Sequence, residues 1–420
     1  MQPFRFVHAA DLHIDSPFKG LLKTDDAVAK RLHEATFEAY QNLIDLCINE
    51  HADFLVIAGD VYDGADRGVR AQLRFREGLT RLSDYGIPTF VVHGNHDPLE
   101  GWSGSIRLPA LVHTFGAEPE WADVRSNDQV IARIQGASYP HREVRENIAI
   151  TFAAPPPDDV FSIGLLHCNV GGDPAHDDYA PCTVDDLASI PIDYWALGHV
   201  HTRRTLREHR PTIAYPGNTQ GRHPNEPGER GALVVDVDGT GRVELAFRPL
   251  DVVRWETIEV AIEGRFDLGE LVDAVSEALD IARSDAGGRD LIVRVLMTGR
   301  GPLHKELGHG ETLSEIAEEL RRSFGRGRPF VWIERISNET RAEIDIDMLA
   351  GRDDFLGAIL RRAGTARDEG DEREELRAAL ASVFNSRRFA DVLDAPDDEE
   401  LSRIIDEARW ELASLFEGDA

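Results

Sequence analysis

The sequence predicts an α/β fold: a strand-and-helix unit over residues 1–250, a small α/β domain over 251–346 and an acidic helical segment over 347–420. Three observations predict it. Five short runs rich in β-branched and aromatic residues each stop at an Asp, His or Asn. A second alternation of strand and helix patterns begins after Pro249-Leu250-Asp251, and from about residue 347 the pattern turns helical and charged.

In chain order, FRFVHAA (residues 4–10) leads into Asp11-Leu12-His13, FLVIAG (54–59) into Asp60, and TFVVHG (89–94) into Asn95-His96-Asp97. FSIGLL (161–166) leads into His167, and DYWALG (193–198) into His199-Val200-His201. All five polar groups therefore belong at strand ends. Sites in open α/β sheets form in the crevice beyond the carboxyl ends of the strands, so groups as far apart as Asp11 and His201 can converge there.

Seven donors stand in these segments: Asp11, His13, Asp60, Asn95, His167, His199 and His201. One metal needs three or four protein ligands and an open position, so seven suit two metals that share one ligand. Asp60 is the natural bridge, because a carboxylate has two oxygens to offer and an imidazole nitrogen binds one ion. Two cations roughly 3.5 to 4 Å apart clamp the attacking and leaving oxygens of an in-line displacement at phosphorus and activate water near neutral pH. Mixed carboxylate, amide and imidazole donors favour Mn, Fe or Zn over Mg or Ca. His96, left over beside Asn95, is expected to face a substrate phosphate as a cationic stabiliser or proton donor. Asp63, three residues after the bridge, is the candidate that orients it.

A lone Asp-x-His or Gly-x-His is usually a loop or a surface histidine; the ordered set of five, each after a strand pattern, carries the reading. His8, His33, His51, His93, His113 and His141 fit no such pattern and are read as structural or exposed. Asp15, before Ser16-Pro17, reads as a turn former.

These motifs resemble the calcineurin-like metallophosphoesterase superfamily and, within it, the SbcD-like DNA repair exonucleases of the YhaO type. The resemblance rests on HAADLHIDSPFKGL (8–21), GDVYD (59–63), GNHD (94–97), GHVH (198–201) and YPGNTQGRHPNE (215–226) and covers the first 250 residues. It implies a β-sandwich flanked by helices, with one metal on Asp11, His13, Asp60 and His201, the other on Asp60, Asn95, His167 and His199, and His96 as the catalytic histidine. It also implies manganese as the metal and a homodimer. Some archaeal and eukaryotic relatives carry His at the Asp63 position, whereas bacterial members and phosphatases resemble this chain.

With 420 residues and 42% hydrophobic content, the chain is long enough for two or three domains. No apolar stretch precedes the first strand, and no run approaches the roughly 18 apolar residues of a membrane span, so a cytoplasmic protein is expected. Cys47, Cys168 and Cys182 lack Cys-x-x-Cys spacing and are expected as buried thiols without a disulfide.

The net charge of −30 argues against a nucleic-acid substrate unless a basic face is local. Only four lysines occur, at 19, 23, 30 and 305. Arginines follow the ligand segments instead: Arg67, Arg70, Arg74 and Arg76 after Asp60; Arg203, Arg204, Arg207 and Arg210 after His201; and Arg222, with His223, in a Gly-containing loop. Any one of them suits a solvated face; as a set they suit a phosphate backbone.

The second domain reads as strand 254–262, helix 268–282, strand 290–299, helix 313–324 and strand 329–336, a cap over the metals in the resembled family. Residues 351–420 hold 10 Arg against 19 Asp or Glu. Their last stretch carries an apolar stripe, Leu401, Ile404, Ile405, Ala408, Leu412 and Leu415, at helical spacing. Such a stripe usually packs on its own protein. Otherwise it docks a helical partner, which in the resembled family is the coiled coil of an SMC-like ATPase (SbcC/YhaN type). The expectation is a two-metal DNA exonuclease of double-strand-break repair, with a small-molecule phosphoesterase or a weakly catalytic scaffold as alternatives.

Overall fold

The computed structural model describes every residue except 17, 19–25, 64–67, 101–105, 158, 173–176, 178, 369, 385–395 and 418–420. Arg67 and part of the first motif (Pro17 and Lys19 to Leu21) therefore lie outside the described residues, as does Lys23. The chain divides into two compact units. One comprises Met1–Thr257, Asp280–Arg294 and Arg321–Glu334, the other Ile258–Leu279, Val295–Leu320 and Arg335–Ala420.

The first unit holds two six-stranded sheets. One is built from β1 (Phe4–Ala9), β2 (Phe54–Ala58), β3 (Thr89–Val92) and β4 (Val112–Thr114), all parallel, with β11 (Gly231–Val237) and β12 (Val243–Pro249) antiparallel beyond β1. The other runs β5 (Glu120–Ser126), β6 (Gln129–Ala137), β7 (Phe161–His167), β8 (Tyr194–Gly198), β10 (Thr212–Tyr215) and β9 (Arg204–Arg207), with β6, β7, β8 and β10 parallel.

The sheets are flanked on both faces, which is why the parallel strands read as continuous apolar runs rather than alternating ones. Phe6, Phe54, Val56 and Phe90 of the first sheet pack with Ile134, Phe161, Ile163 and Tyr194 of the second to form the inner layer of a sandwich. On the outer face of the first sheet, Val7, Leu55, Ile57 and Val91 meet Tyr40, Leu43, Phe75 and Leu79 of helices Asp26–Asn49 and Val69–Asp84. On the outer face of the second, Leu166, Trp195 and Leu197 pack with Leu187 of helix Val184–Ser189, whose start is fixed by a capping box between Thr183 and Asp186. Cys47, Cys168 and Cys182 are buried free thiols.

A three-stranded sheet has the order β13 (Val253–Ala261), β14 (Asp290–Thr298), β15 (Val331–Asn338), with helices Leu268–Asp285 and Gly310–Phe324 between its strands in sequence. In the second unit, helices Phe355–Asp368, Asp371–Phe384 and Asp398–Glu417 pack together. Leu401 and Ile405 are buried with Ala366, and Ala413 with Leu349, Leu356 and Leu360. The apolar stripe of the last helix is thereby divided: Leu401 and Ile405 are interior, while Leu415 is 74% and the neighbouring Phe416 53% exposed. Among the described residues no helix is long and apolar enough to cross a membrane.

Candidate metal centre

The ligand segments leave the carboxyl ends of β1, β2, β3, β7 and β8, three parallel strands of one sheet and two of the other. The backbone turns sharply there: Asp11 (φ 52), His13 (φ 41), Asp60 (φ 48) and His199 (φ 99) all occupy left-handed conformations. Non-glycine residues adopt these only at a cost of roughly 1–3 kcal/mol each, and such strain gathers at functional sites. Gly94 is required by close approach, since a Cβ there would lie 2.3 Å from Asp60 Oδ1 and 2.7 Å from His167 Nε2.

The histidine tautomers follow from their outer partners. His167 Nδ1 donates to the Ala58 carbonyl (2.9 Å), which leaves Nε2 as a lone pair facing Asn95 Oδ1 at 3.0 Å and Asp60 Oδ2 at 3.5 Å. His201 Nδ1 donates to Glu226 Oε1 (2.6 Å), so its Nε2 lone pair faces His13 Nε2 at 3.2 Å. His13 Nδ1 lies 3.6 Å from Asp63, and its Nε2 lies 3.7 Å from Asp60 Oδ2. His199 Nε2 donates to the Asp177 carbonyl (2.8 Å), which leaves the lone pair on Nδ1; its ring centre is 5.1 Å from that of His167. Asp11 accepts the His199 backbone N–H at 3.1 Å and lies 3.9 Å from His167 Nδ1.

Acceptors thus face acceptors around Asp60. Buried acceptors in that arrangement need a donor or a cation between them, and a divalent ion satisfies all of them at once. The electrostatics agree. Burial, then the neighbouring Asp60 charge, pushes the Asp11 carboxyl well above its usual range, and burial also raises Asp60. Burial pushes His167 down to about 3 and, with the Arg222 charge, lowers His13 well below its usual value, which favours the neutral imidazoles that metal binding requires. The residues present fit two divalent cations. Asp11, His13 and His201 converge, as do Asp11, Asp60 and His167.

His96 stands at the edge of this cluster. Its backbone N–H donates to Asp60 Oδ1 (3.0 Å), and its Nδ1 lies 2.8 Å from Asp63 Oδ1. Burial opposes its charged form, but the Asp63 hydrogen bond and the Asp60 charge outweigh burial and raise its pKa. For Asp63, burial is likewise outweighed by the neighbouring His13 imidazole, the hydrogen bond with His96 and the Arg222 charge, which hold the carboxyl well below its usual range.

Several residues that complete the site stand outside the set of donors read from the sequence. Asp97 accepts from Val61 N (3.0 Å), Gly94 N (2.9 Å) and His93 Nδ1 (3.0 Å), stitching the turn after β3 to the turn after β2. Ser16 donates to Asp63 Oδ2 (2.6 Å), and Glu226 holds His201. Asp97 and Glu226 end the GNHD and YPGNTQGRHPNE motifs, and a carboxylate near a candidate ligand histidine is the signal that points to them. Of the arginines expected near the site, Arg222 is in it, with Nη1 2.8 Å from Ser16 Oγ and 3.4 Å from Asp63 Oδ2. Others are committed elsewhere: Arg70 to Glu34, Arg74 to Glu77, Arg203 over the Phe247 ring, and Arg207 and Arg210 to the carbonyls of His209 and Thr240. His8, read as structural, is buried between the Tyr194 hydroxyl (3.0 Å) and the Leu197 carbonyl (3.1 Å).

The sequence is similar to those of known proteins. A family model for calcineurin-like phosphoesterases matches residues 4–203, and one for the middle domain of metallophosphoesterase YhaO matches residues 255–341. The chain is 34% identical over 405 residues to the uncharacterized metallophosphoesterase YhaO of Bacillus subtilis, covering 96% of each. It is 25% identical to the SbcD component of the SbcCD nuclease of the same organism, over 69% of this chain and 79% of that protein. It is 27% identical to the DNA double-strand break repair protein Mre11 of Sulfurisphaera tokodaii, over 41% of this chain and 44% of that protein.

Proposed function

The chain belongs to the YhaO family of calcineurin-like metallophosphoesterases, metal-dependent hydrolases of phosphate esters, and from that premise we propose that it is a two-metal DNA phosphodiesterase. In this reading it is an exonuclease of double-strand-break repair in the cytoplasm, using manganese, able to form a homodimer and working with an SMC-like ATPase of the SbcC/YhaN type. The observation that carries it is the set of mutually facing acceptors around Asp60, with the hydrogen-bonded His96–Asp63 pair at its edge. The nuclease and repair relatives support the choice of DNA.

Bound divalent ions supply Lewis acidity at the phosphoryl oxygens and make water nucleophilic near neutral pH. The chain does the rest. Asp60 presents Oδ2 toward His13 and His167, while its Oδ1 is steadied by the His96 N–H. Asp63 accepts a hydrogen bond from His96 Nδ1–H, so the second proton of the imidazolium sits on the opposite nitrogen, Nε2. That proton neutralises charge on the phosphate or passes to the leaving oxygen. Residues 1–250 form the catalytic domain of this proposal, 251–346 the cap that selects substrate geometry, and 347–420 the ATPase-docking segment. Exposed Leu415 and Phe416, with Phe355 6.4 Å from Phe416 between ring centres, supply an apolar anchor for such a partner.

A second reading, hydrolysis of small phosphate esters, is favoured by the net charge of −30 and by the pairing of most candidate arginines away from the site. The test is hydrolysis of end-labelled linear DNA with manganese, beside an aryl phosphodiester and a phosphomonoester. We expect DNA degradation that falls roughly 100-fold in His96→Ala while the metal content is kept. Turnover of the small esters alone would establish the second reading.

A further inference from the structure

We propose that Glu226 is the positioning residue that couples the two halves of this site, holding His201 as a metal ligand and, through Arg222, fixing the Asp63–His96 pair. The inference rests on the metal-centre reading above and goes beyond it, because Glu226 itself is neither a ligand nor a contact of the phosphate.

Glu226 lies on the loop between β10 and β11. That loop is folded onto the end of the His201 segment: Asn218 N and Arg230 Nη1 both donate to the His201 carbonyl, at 3.2 and 2.6 Å. Gly217 (φ 80) permits the approach, since a Cβ there would lie 2.6 Å from the same oxygen. The Glu226 side chain, 13% exposed, then uses its two oxygens on two different parts of the site. Oε1 accepts from His201 Nδ1 at 2.6 Å, and Oε2 accepts from the Arg222 backbone N–H at 2.7 Å.

Each bond leads further. With Nδ1 protonated toward Glu226, the His201 lone pair is fixed on Nε2, the atom that faces His13 and the cluster. With its backbone anchored, Arg222 reaches Ser16 (2.8 Å) and Asp63 (3.4 Å), Ser16 donates to Asp63 (2.6 Å), and Asp63 holds His96 Nδ1 at 2.8 Å. One carboxylate therefore sets a ligand tautomer on one side and the orientation of the catalytic imidazole on the other.

Only a group with two acceptors can do both. Glu226→Gln has nearly the same shape but a single acceptor oxygen. If that oxygen takes the Arg222 N–H, the amide NH2 faces His201 Nδ1 and forces the proton to Nε2, where it blocks ligation. If the oxygen takes His201, an NH2 faces an N–H and Arg222 is pushed away.

The experiment is manganese titration of the full chain, wild type against Glu226→Gln and Arg222→Gln, followed by kcat and KM for an aryl phosphodiester; metal-free melting points confirm that each variant is folded. Wild type is expected to bind two ions. Glu226→Gln should bind one of them roughly 10- to 100-fold more weakly, the cost typical of losing such an outer partner, with the other within about threefold. Arg222→Gln should retain both ions at wild-type affinity and lower kcat about 10-fold or more. Two ions bound at wild-type affinity in Glu226→Gln, or both weakened equally, would overturn the coupling role. A wild-type protein that binds fewer than two ions would instead overturn the metal-centre reading on which it stands.

Discussion

Replacing Asp60 with Asn separates what the fold needs from what the metals need. Asp60 is 1% exposed, and its two oxygens differ in task. Oδ1 accepts the His96 N–H at 3.0 Å, a bond an amide oxygen keeps. Oδ2 lies 3.5 Å from His167 Nε2, which faces it as an acceptor, and 3.7 Å from His13 Nε2. An amide NH2 in that place donates to one of them, and the substitution also removes one of two buried neighbouring carboxylates. The metal-free variant is therefore expected to melt at or above the wild-type temperature. The response to metal has the opposite sign. An ion at 100 times its Kd stabilises the folded state by about 2.7 kcal/mol per site. At roughly 2–4 °C per kcal/mol for a unit of this size, each occupied site raises the melting point by about 5 to 11 °C. Thermal melts of metal-stripped protein with and without manganese should show this rise in wild type and almost none in Asp60→Asn, since the proposed bridge would serve both ions. Elemental analysis provides the count. A variant that keeps the full rise and two ions would refute the bridging role.

Gly94→Ala places a Cβ against Asp60 and His167 and should cost about 1–3 kcal/mol while weakening manganese binding; a variant with wild-type melting and titration would show that the turn after β3 yields. His8 tests the buried strand end by pH. Burial drives its pKa from 6.5 down to about 3, only partly opposed by the Leu197 carbonyl. As pH falls below about 6.5 the unfolded chain binds this proton and the folded chain does not, so stability drops by about 1.4 kcal/mol per pH unit. Metal-free His8→Gln should therefore lose about 1.6 kcal/mol less than wild type between pH 6.5 and 5, read by denaturant unfolding, and parallel losses would contradict it. In the last helix, Leu415→Asp with Phe416→Asp should leave the melting point unchanged and weaken capture of an SMC-like ATPase. Truncation before residue 397 should instead lower the melting point, because Leu401, Ile405 and Ala413 are interior; unchanged ATPase capture by the double variant would place the docking surface elsewhere.

The strand ends that carry the candidate ligands were legible because two local signals coincide at each: an apolar run that only a buried strand explains, and an Asp, His or Asn where it stops. The same logic placed the elements of the small α/β segment, whose strands Val253–Ala261, Asp290–Thr298 and Val331–Asn338 lie within a residue or two of their apolar patterns. The apolar stripe of the last helix was legible as a stripe but not as its division into buried Leu401 and Ile405 and exposed Leu415.

What sequence alone determined, then, was which side chains stand at strand ends, since strand periodicity and residue chemistry are local properties of the chain. Tertiary structure decided how they are used. His201 meets Glu226 across 25 positions, and Arg222 meets Ser16 across 206. The left-handed backbone at Asp11, His13, Asp60 and His199 aims each side chain in a direction no propensity foretells. Which arginine enters the site and which is spent on a distant glutamate or aromatic ring depends on the sheets that bring them together. A tautomer, a buried charge and a hydrogen-bond relay are properties of neighbours, and neighbours exist only once the two sheets have packed.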